Sequence, residues 1–482
     1  MSDRCAVSCD GRFIFIFSVL LCVSVPDVSW ARLGVAYQMQ LGNPTAATVD
    51  TNNHTHYLIQ RARYAMDYND TTHQANWVSW SYTTEDSGNS GRSSSFFVDN
   101  SLPIGFVKIS NASFGGYDRG HMCPSGDRTA SVADNEETFL MSNMIPQHAT
   151  NNQLVWAKFE DYCRTAASGG SEVLNTCGPG DFGATSISNG MKLPGSVWKV
   201  VVVAPSGSAL APSKVTTACR VIAIKTLNTV SVGTNWVSYV TTVEQIEADT
   251  GLKFFSSLPT SVARYLRKVK DTGSGPNTPT VISSVSPISG TAGTTVTLSG
   301  YNFGTSPVVK FNGVTATASV QSGGTQITAA VPASATTGTI SVASTSNGTD
   351  TSAEIFTVST SPFESWSVGY KLSGDNALAS ADPDGDGLNN AGEFAFGTSP
   401  VDASSRAVTQ SSVTGGIKII YLQRSGVTYT VKSATDLAAG FTAVTSTKSN
   451  PQPAGLPSGY EQYEATLTAP GRGFLKVEAV VP

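Results

Sequence analysis

Nine consecutive positions constrain this 482-residue chain more than any others: residues 271–279 read Asp-Thr-Gly-Ser-Gly-Pro-Asn-Thr-Pro. Glycine loosens a backbone and proline removes a hydrogen-bond donor, so such a run links elements rather than forming one. Before it, apolar residues recur with both helical and strand periods. Beyond it, short β-patterned runs alternate with Gly-, Pro- and Asn-containing turns to about residue 358. The length calls for two to four domains rather than one. The sequence therefore predicts an α+β first domain over 32–272, a linker at 273–279, a β-sandwich module over 280–360, a segment at 361–402 with the spacing of a calcium-binding loop, and a terminal β-rich module over 403–482.

Composition bears on where such a chain works. Glycine is abundant at 45 residues and only 13% of positions are charged, as in exported modular β proteins. Arg4 and Arg12 precede an apolar stretch at 13–25. Ser29 and Ala31 supply small residues for cleavage after Ala31, so residues 1–31 are expected to be an export signal. The stretch is too short and badly flanked for a membrane span. Leu21 before Cys22 disfavours a lipoprotein site, and an extracellular or periplasmic location is expected. Without Cys5, Cys9 and Cys22, four cysteines remain: Cys123, Cys163, Cys177 and Cys219. In an oxidising compartment they suggest two disulfides with three pairings open, and buried free thiols are the alternative.

The net charge of −5 at first argues against a polyanionic partner. From residue 32 to 271, however, 19 basic residues balance 19 acidic ones, whereas residues 272–482 hold 9 against 13. The acidity belongs to the tail, and any phosphate-binding surface in the first domain must be local. Arg264, Arg267, Lys268 and Lys270 offer a basic helix end, for which a solvated face is the simpler reading.

Residues 76–82 alternate like a strand, and 200–204 and 220–224 read as buried strands. Residues 152–164 have helical spacing, with Asn152, Trp156 and Glu160 four apart along one stripe. A helical pattern also runs over 243–268, interrupted by Pro259. Past the linker the clearest strands are 296–298, 308–311 and 339–342, implying a small sandwich. Residues 417–422 and 428–432 look like strands of a terminal module.

The chemistry-bearing residues form two spaced clusters. The first is Asp118-Arg119-Gly120-His121, followed by Cys123, Pro124, Asp127 and Arg128. The second holds Ser142, Asn143, Pro146, Gln147, Asn152, Gln153, Trp156 and Glu160. A neutral imidazole can take a proton from water, since its ordinary pKa is about 6.5. A guanidinium offers a planar set of donors to phosphate. An amide oxygen suits a hard cation that keeps most of its waters, and a carboxylate can accept hydrogen bonds from those waters. The remaining histidines, His54, His56, His73 and His148, read as structural or surface residues, and Trp156 as packing.

In type and spacing these clusters resemble the signature of the DNA/RNA non-specific endonucleases, the ββα-metal nucleases. The resemblance covers roughly residues 40–272, including 76–78 and an expected helix at 251–255. It implies a central antiparallel sheet and His121 as general base. It further implies Asn152 as the protein ligand of magnesium (manganese being an alternative), Arg119 and Glu160 in the active site, and Asn143 positioning the reacting groups. Arg92 is the loosely aligned counterpart of an upstream family arginine. The implied reaction cleaves DNA and RNA without strong sequence preference and leaves 5′-phosphate ends. No arginine-rich recognition helix is visible, in keeping with backbone rather than base contacts.

Residues 287–293, 298–304 and 331–332 resemble the immunoglobulin-like IPT/TIG family, which implies a fold and a contact surface, not a chemistry. Asp382, Asp384, Asp386, Leu388, Asn390 and Glu393 fit the alternating positions of a twelve-residue calcium loop, with Gly387 at the sharp turn. A structural calcium ion is expected there, and the last modules are expected to meet a surface or protein partner. The competing readings are a binding or adhesion protein that holds nucleic acid or a matrix polymer without cutting it, and a phosphodiesterase for small or lipid substrates.

Overall fold

The structure, a computed structural model, describes residues 35–111, 114–207, 209–321, 323–359, 361–436, 440–468 and 473–481. The expected export signal at 1–31 lies outside the described residues. The chain forms two compact units. The first runs to Leu258 and takes in Lys270–Ser274, and the second holds Pro259–Val269 and everything from Gly275 onward.

The first unit is built on a seven-stranded sheet in the order β1-β2-β3-β6-β7-β8-β9, with every pairing antiparallel. The strands are β1 Tyr57–Gln60, β2 Ala65–Asn69, β3 Gln74–Tyr82, β6 Ser171–Gly180, β7 Ser196–Pro205, β8 Arg220–Leu227 and β9 Val240–Thr241. The alternation read at 76–82 does not produce a one-sided strand. Trp77, Val78, Trp80 and Tyr82 of β3 are all buried, so both of its faces are covered. The central pair β6–β7 is buried along nearly its whole length, in keeping with the four consecutive valines, Val200–Val203, in β7. Helix Ala157–Ser168 lies over this pair and presses Phe159, Cys163 and Ala167 into the sheet. Burying a side chain of Phe159's size stabilises by about 1.5–3 kcal/mol.

A separate two-stranded ribbon carries the first motif: β4 Asp118–His121 pairs with β5 Met144–Gln147, with Asp118 opposite Gln147 and His121 opposite Met144. Gly120 is fixed by this packing. A Cβ there would sit 2.1 Å from Gln147 Oε1 and 2.7 Å from its Cβ, so any side chain would drive the ribbon apart.

Two sequence expectations change here. The helical pattern over 243–268 becomes two helices, Val243–Thr250 and Thr260–Lys268. Gly251 closes the first in the left-handed region, and Phe255 also has a positive φ, so 251–255 is not helical. The two expected disulfides do not form. Cys123, Cys163, Cys177 and Cys219 are all free and buried. Three of them pack in the main apolar core of the unit, and burial pushes the thiols of Cys163 and Cys177 up to about 12. They act as small apolar side chains.

In the second unit, residues 281–358 form a sandwich of a four-stranded sheet and a five-stranded sheet around Val296, Leu298, Phe303, Phe311, Ile340 and Phe356. The three strands expected there lie within Thr295–Tyr301, Val308–Phe311 and Gly338–Ser344. Helix Thr260–Lys268 belongs to this unit, and Arg264 and Lys268 both bond the buried Asp350 at 3.3 and 3.0 Å. Those two cations are thus anchored to a carboxylate rather than forming a solvated face. A last module carries Gly416–Arg424 and Thr428–Ala434 among its strands. No helix of the described residues is long and apolar enough to cross a membrane.

Candidate active site

One cleft of about 390 Å³ in the first unit gathers Arg92, His121, Asn152, Glu160 and Arg164, with Ser125, Asn135 and Gln153 among its other walls. Each side chain arrives there for a local reason.

His121 ends β4 and is 8% exposed. Phe139 meets its ring edge-on at 4.6 Å and Phe96 lies at 5.7 Å. The ring also hydrogen-bonds the Arg119 backbone, while Nε2 is buried without a partner. With Nδ1–H donating to that carbonyl, Nε2 keeps its lone pair, the tautomer a general base requires. Burial, and then the Arg92 charge, pull this imidazole down to about 3, so it is neutral at ordinary pH. An unpaired buried polar atom costs about 1–3 kcal/mol, a cost the fold carries at its reactive nitrogen.

Asn152 stands in a wide, π-type turn, Asn151–Trp156, that leads into helix Ala157–Ser168. This winding corrects the expected stripe. In a pure α-helix, positions eight apart sit roughly 80° out of line. The wider turn reduces that offset and puts Asn152 on the same wall as Glu160, while Trp156 turns inward and is 1% exposed. Asn152 Nδ2 donates to Asp118 Oδ2 at 2.8 Å, and Gln153 Nε2 donates to the same oxygen at 2.8 Å. With its NH₂ held there, the Asn152 amide oxygen accepts no hydrogen bond among the described residues. Glu160 is half-buried, and burial raises its carboxyl to about 7 against the opposing pull of Lys199. Its oxygens likewise accept no hydrogen bond from the described residues. An unused amide oxygen and an unused carboxylate on one wall fit a hydrated divalent cation: Asn152 as direct ligand, Glu160 through water.

The arginines divide differently from expectation. Arg92, the loosely aligned one, lines the cleft. Ser93 next to it is clamped by Asn135 Oδ1 at 2.9 Å, and the Arg92 guanidinium bonds Ser125 Oγ and lies 5.0 Å over Phe139. Arg119 is not among the cleft-lining residues. Its guanidinium lies between Phe96 and Phe114, at 5.2 and 5.0 Å, and donates to the Asn111 carbonyl. Asn143 is also outside the cleft and fully buried. It braces the chain behind His121, accepting from Cys123 N–H at 2.9 Å and donating to the Cys123 and Thr138 carbonyls. Two contributors escaped the sequence reading. Arg164, four residues after Glu160, is held over the cleft by Asp127 and Asp161, and its helical spacing was the available signal. Asp118 orients Asn152, which only the tertiary fold reveals. Of the other histidines, His54 and His56 pair with Asp70 and Asp67 at 3.0 and 2.9 Å, and neither they nor His73 and His148 line the cleft.

The model of the DNA/RNA non-specific endonuclease family matches residues 41–261. A nuclease of Nostoc sp. is 36% identical over 250 residues, covering 51% of this chain and 90% of the relative. This chain belongs to the DNA/RNA non-specific endonuclease family. Nuclease C1 of Cunninghamella echinulata var. echinulata is 29% identical over 222 residues, covering 42% of this chain and 84% of that protein. A nuclease of Serratia marcescens is 28% identical over 229 residues, covering 45% and 82% respectively. The IPT/TIG domain model matches residues 279–359, the sandwich of the second unit. The chain is thus a nuclease whose sequence continues into an IPT/TIG domain.

Proposed function

We propose that this nuclease is exported and that it hydrolyses the backbone of both DNA and RNA with little regard to sequence, using magnesium and leaving 5′-phosphate ends. The observation that carries the reading is the convergence of His121, Asn152, Glu160, Arg92 and Arg164 on one cleft. His121 Nε2 takes a proton from water and orients the resulting hydroxide toward phosphorus. Arg92 and Arg164 meet the phosphate oxygens, contacts that read backbone and not base. Asn152 would hold the cation directly and Glu160 would hold its waters. When bound, that ion supplies charge stabilisation at the phosphate and leaving oxygens. Asp118 keeps the Asn152 oxygen turned to the cleft. Binding weakens with salt as phosphate contacts compete with counterions.

The loop at 382–393 is read as holding a separate, structural calcium ion, and the β-rich second unit as the part that meets a surface or protein partner. The test is digestion of plasmid DNA and of a folded RNA with magnesium, followed by ligation of the ends. Cleavage of both with ligatable 5′-phosphates, lost in His121→Ala, supports the reading. Cleavage of neither polymer, or undiminished cleavage by the variant, refutes it.

A further inference from the structure

The loop at 382–393 carries an arrangement that the cleavage reaction does not use. Asp382, Asp384 and Asp386 place carboxylate oxygens within 4.8 Å of one another. Like charges so close repel, and nothing cationic among the described residues answers them: their hydrogen bonds go only to backbone amides of Gly385, Gly387, Asp386 and Leu388. Each aspartate thereby shapes the loop and keeps oxygen capacity in reserve, and Asp384 Oδ2 is buried with no partner. Gly385 and Gly387 adopt φ of 74° and 93°, which lets the backbone curl around a centre.

The deciding observation comes from the helix that follows, Asn390–Phe396. Glu393 is 0% exposed, and both of its carboxylate oxygens lack any hydrogen-bond partner. The charged groups that act on it are Asp384, Asp386 and Asp382. A fully buried carboxylate against three others calls for a counter-charge or a proton, because desolvation and repulsion add. Asn390 Oδ1 is buried and unpartnered too, while its Nδ2 donates to the Asn376 and Leu378 carbonyls at 2.7 and 2.8 Å. The amide is thus fixed with its oxygen unspent.

Resting on the calcium reading of residues 382–393 given above, we propose that Glu393 joins Asp382, Asp384 and Asp386 around the ion and that the ion thereby clamps helix Asn390–Phe396 into the C-terminal β-module. Four carboxylates on a curled loop match calcium, which accepts six to eight oxygens in flexible geometry, better than the stricter octahedron of magnesium. The clamp follows from what the helix does next. Ala395 and Phe396 belong to the core formed by Ile419, Tyr421, Val431 and Ala465. Tyr460 and Tyr429 donate to the Phe394 and Ala395 carbonyls, and Arg424 lies 4.0 Å over the Phe394 ring. One side of a seven-residue helix faces the ion and its end plugs the module. A helix this short is marginal unless both contacts hold it.

The test uses the full chain. Calcium binding is followed by titration calorimetry and thermal unfolding by calorimetry, for wild type, Asp384→Asn and Glu393→Gln, with magnesium-dependent digestion measured in parallel. The expected result is a site that calcium fills and magnesium does not. Calcium should raise an unfolding transition of the wild type, and both variants should lose at least about tenfold in affinity together with that rise. Digestion should proceed at the wild-type rate in both variants. Asp384→Asn is the safeguard, being isosteric and on the loop rather than in the helix. Calcium affinity unchanged in both variants, or no calcium-dependent shift in the wild type, would overturn the proposal. Because digestion is read separately, a failed clamp and a failed nuclease assignment give different results.

Discussion

The cleft at His121 and the loop at 382–393 both gather oxygen atoms for a cation, and they do so in opposite ways. The cleft offers one amide oxygen and one carboxylate, beside an imidazole and two guanidinium groups. The loop offers four carboxylates and neither base nor cationic partner among the described residues. An ion with few protein ligands keeps waters and an open side, which chemistry needs. An ion enclosed by carboxylates loses both and gains permanence. Ligand count and the company of a base therefore separate a working ion from a holding one.

The largest expected effect breaks the comparison at its base. His121→Ala should lower kcat/KM by about 10²–10⁴-fold, the usual worth of general base catalysis, with no recovery at high magnesium. Next comes the orienting carboxylate. Asp118→Ala should weaken apparent magnesium affinity by about 10–100-fold, recoverable by raising magnesium, because Asn152 loses the anchor for its amide. A magnesium titration of digestion rate checks it, and a loss of rate that magnesium cannot restore would contradict it.

Acid should sharpen the contrast further. The folded imidazole lies at about 3 and the unfolded one near 6.5, so the unfolded chain binds the proton more readily. Stability should be fully present above about 6.5 and fall as pH drops toward 3. His121→Phe should flatten that fall in denaturant titrations at a series of pH values. Glu160 behaves in the opposite sense, since burial raises it to about 7. Magnesium affinity should decline as pH falls through about 7, and Glu160→Gln should bind more weakly but without that slope. The smallest effect concerns the thiols. Folded protein should expose none of Cys123, Cys163, Cys177 and Cys219 to a thiol reagent, and a reductant should leave its melting temperature unchanged.

Much of this is legible in the sequence. The two motif clusters placed His121, Asn152 and Glu160 together because their residue types and separations are rarely met otherwise, and the strands at 200–204 and 308–311 were unmistakable from β-branched runs. What escaped depended on tertiary context. The π-type turn at Asn151–Trp156 alters which face Trp156 occupies, and no local pattern announces such a turn. Of the two expected arginines only Arg92 lines the cleft, because the Arg119 guanidinium lies against Phe96 and Phe114. The cysteines are read through an expected compartment, whereas three of the four pack in the apolar core and none is paired with another. Asp118 was visible as a motif residue, but its bond to Asn152 spans 34 positions and only folding reveals it.

The most direct measurement is a magnesium titration of plasmid digestion by wild type, His121→Ala and Asn152→Ala side by side. The account predicts loss in both variants, with Asn152→Ala partly restored by excess magnesium and His121→Ala not restored at any concentration. Wild-type digestion by His121→Ala would contradict it.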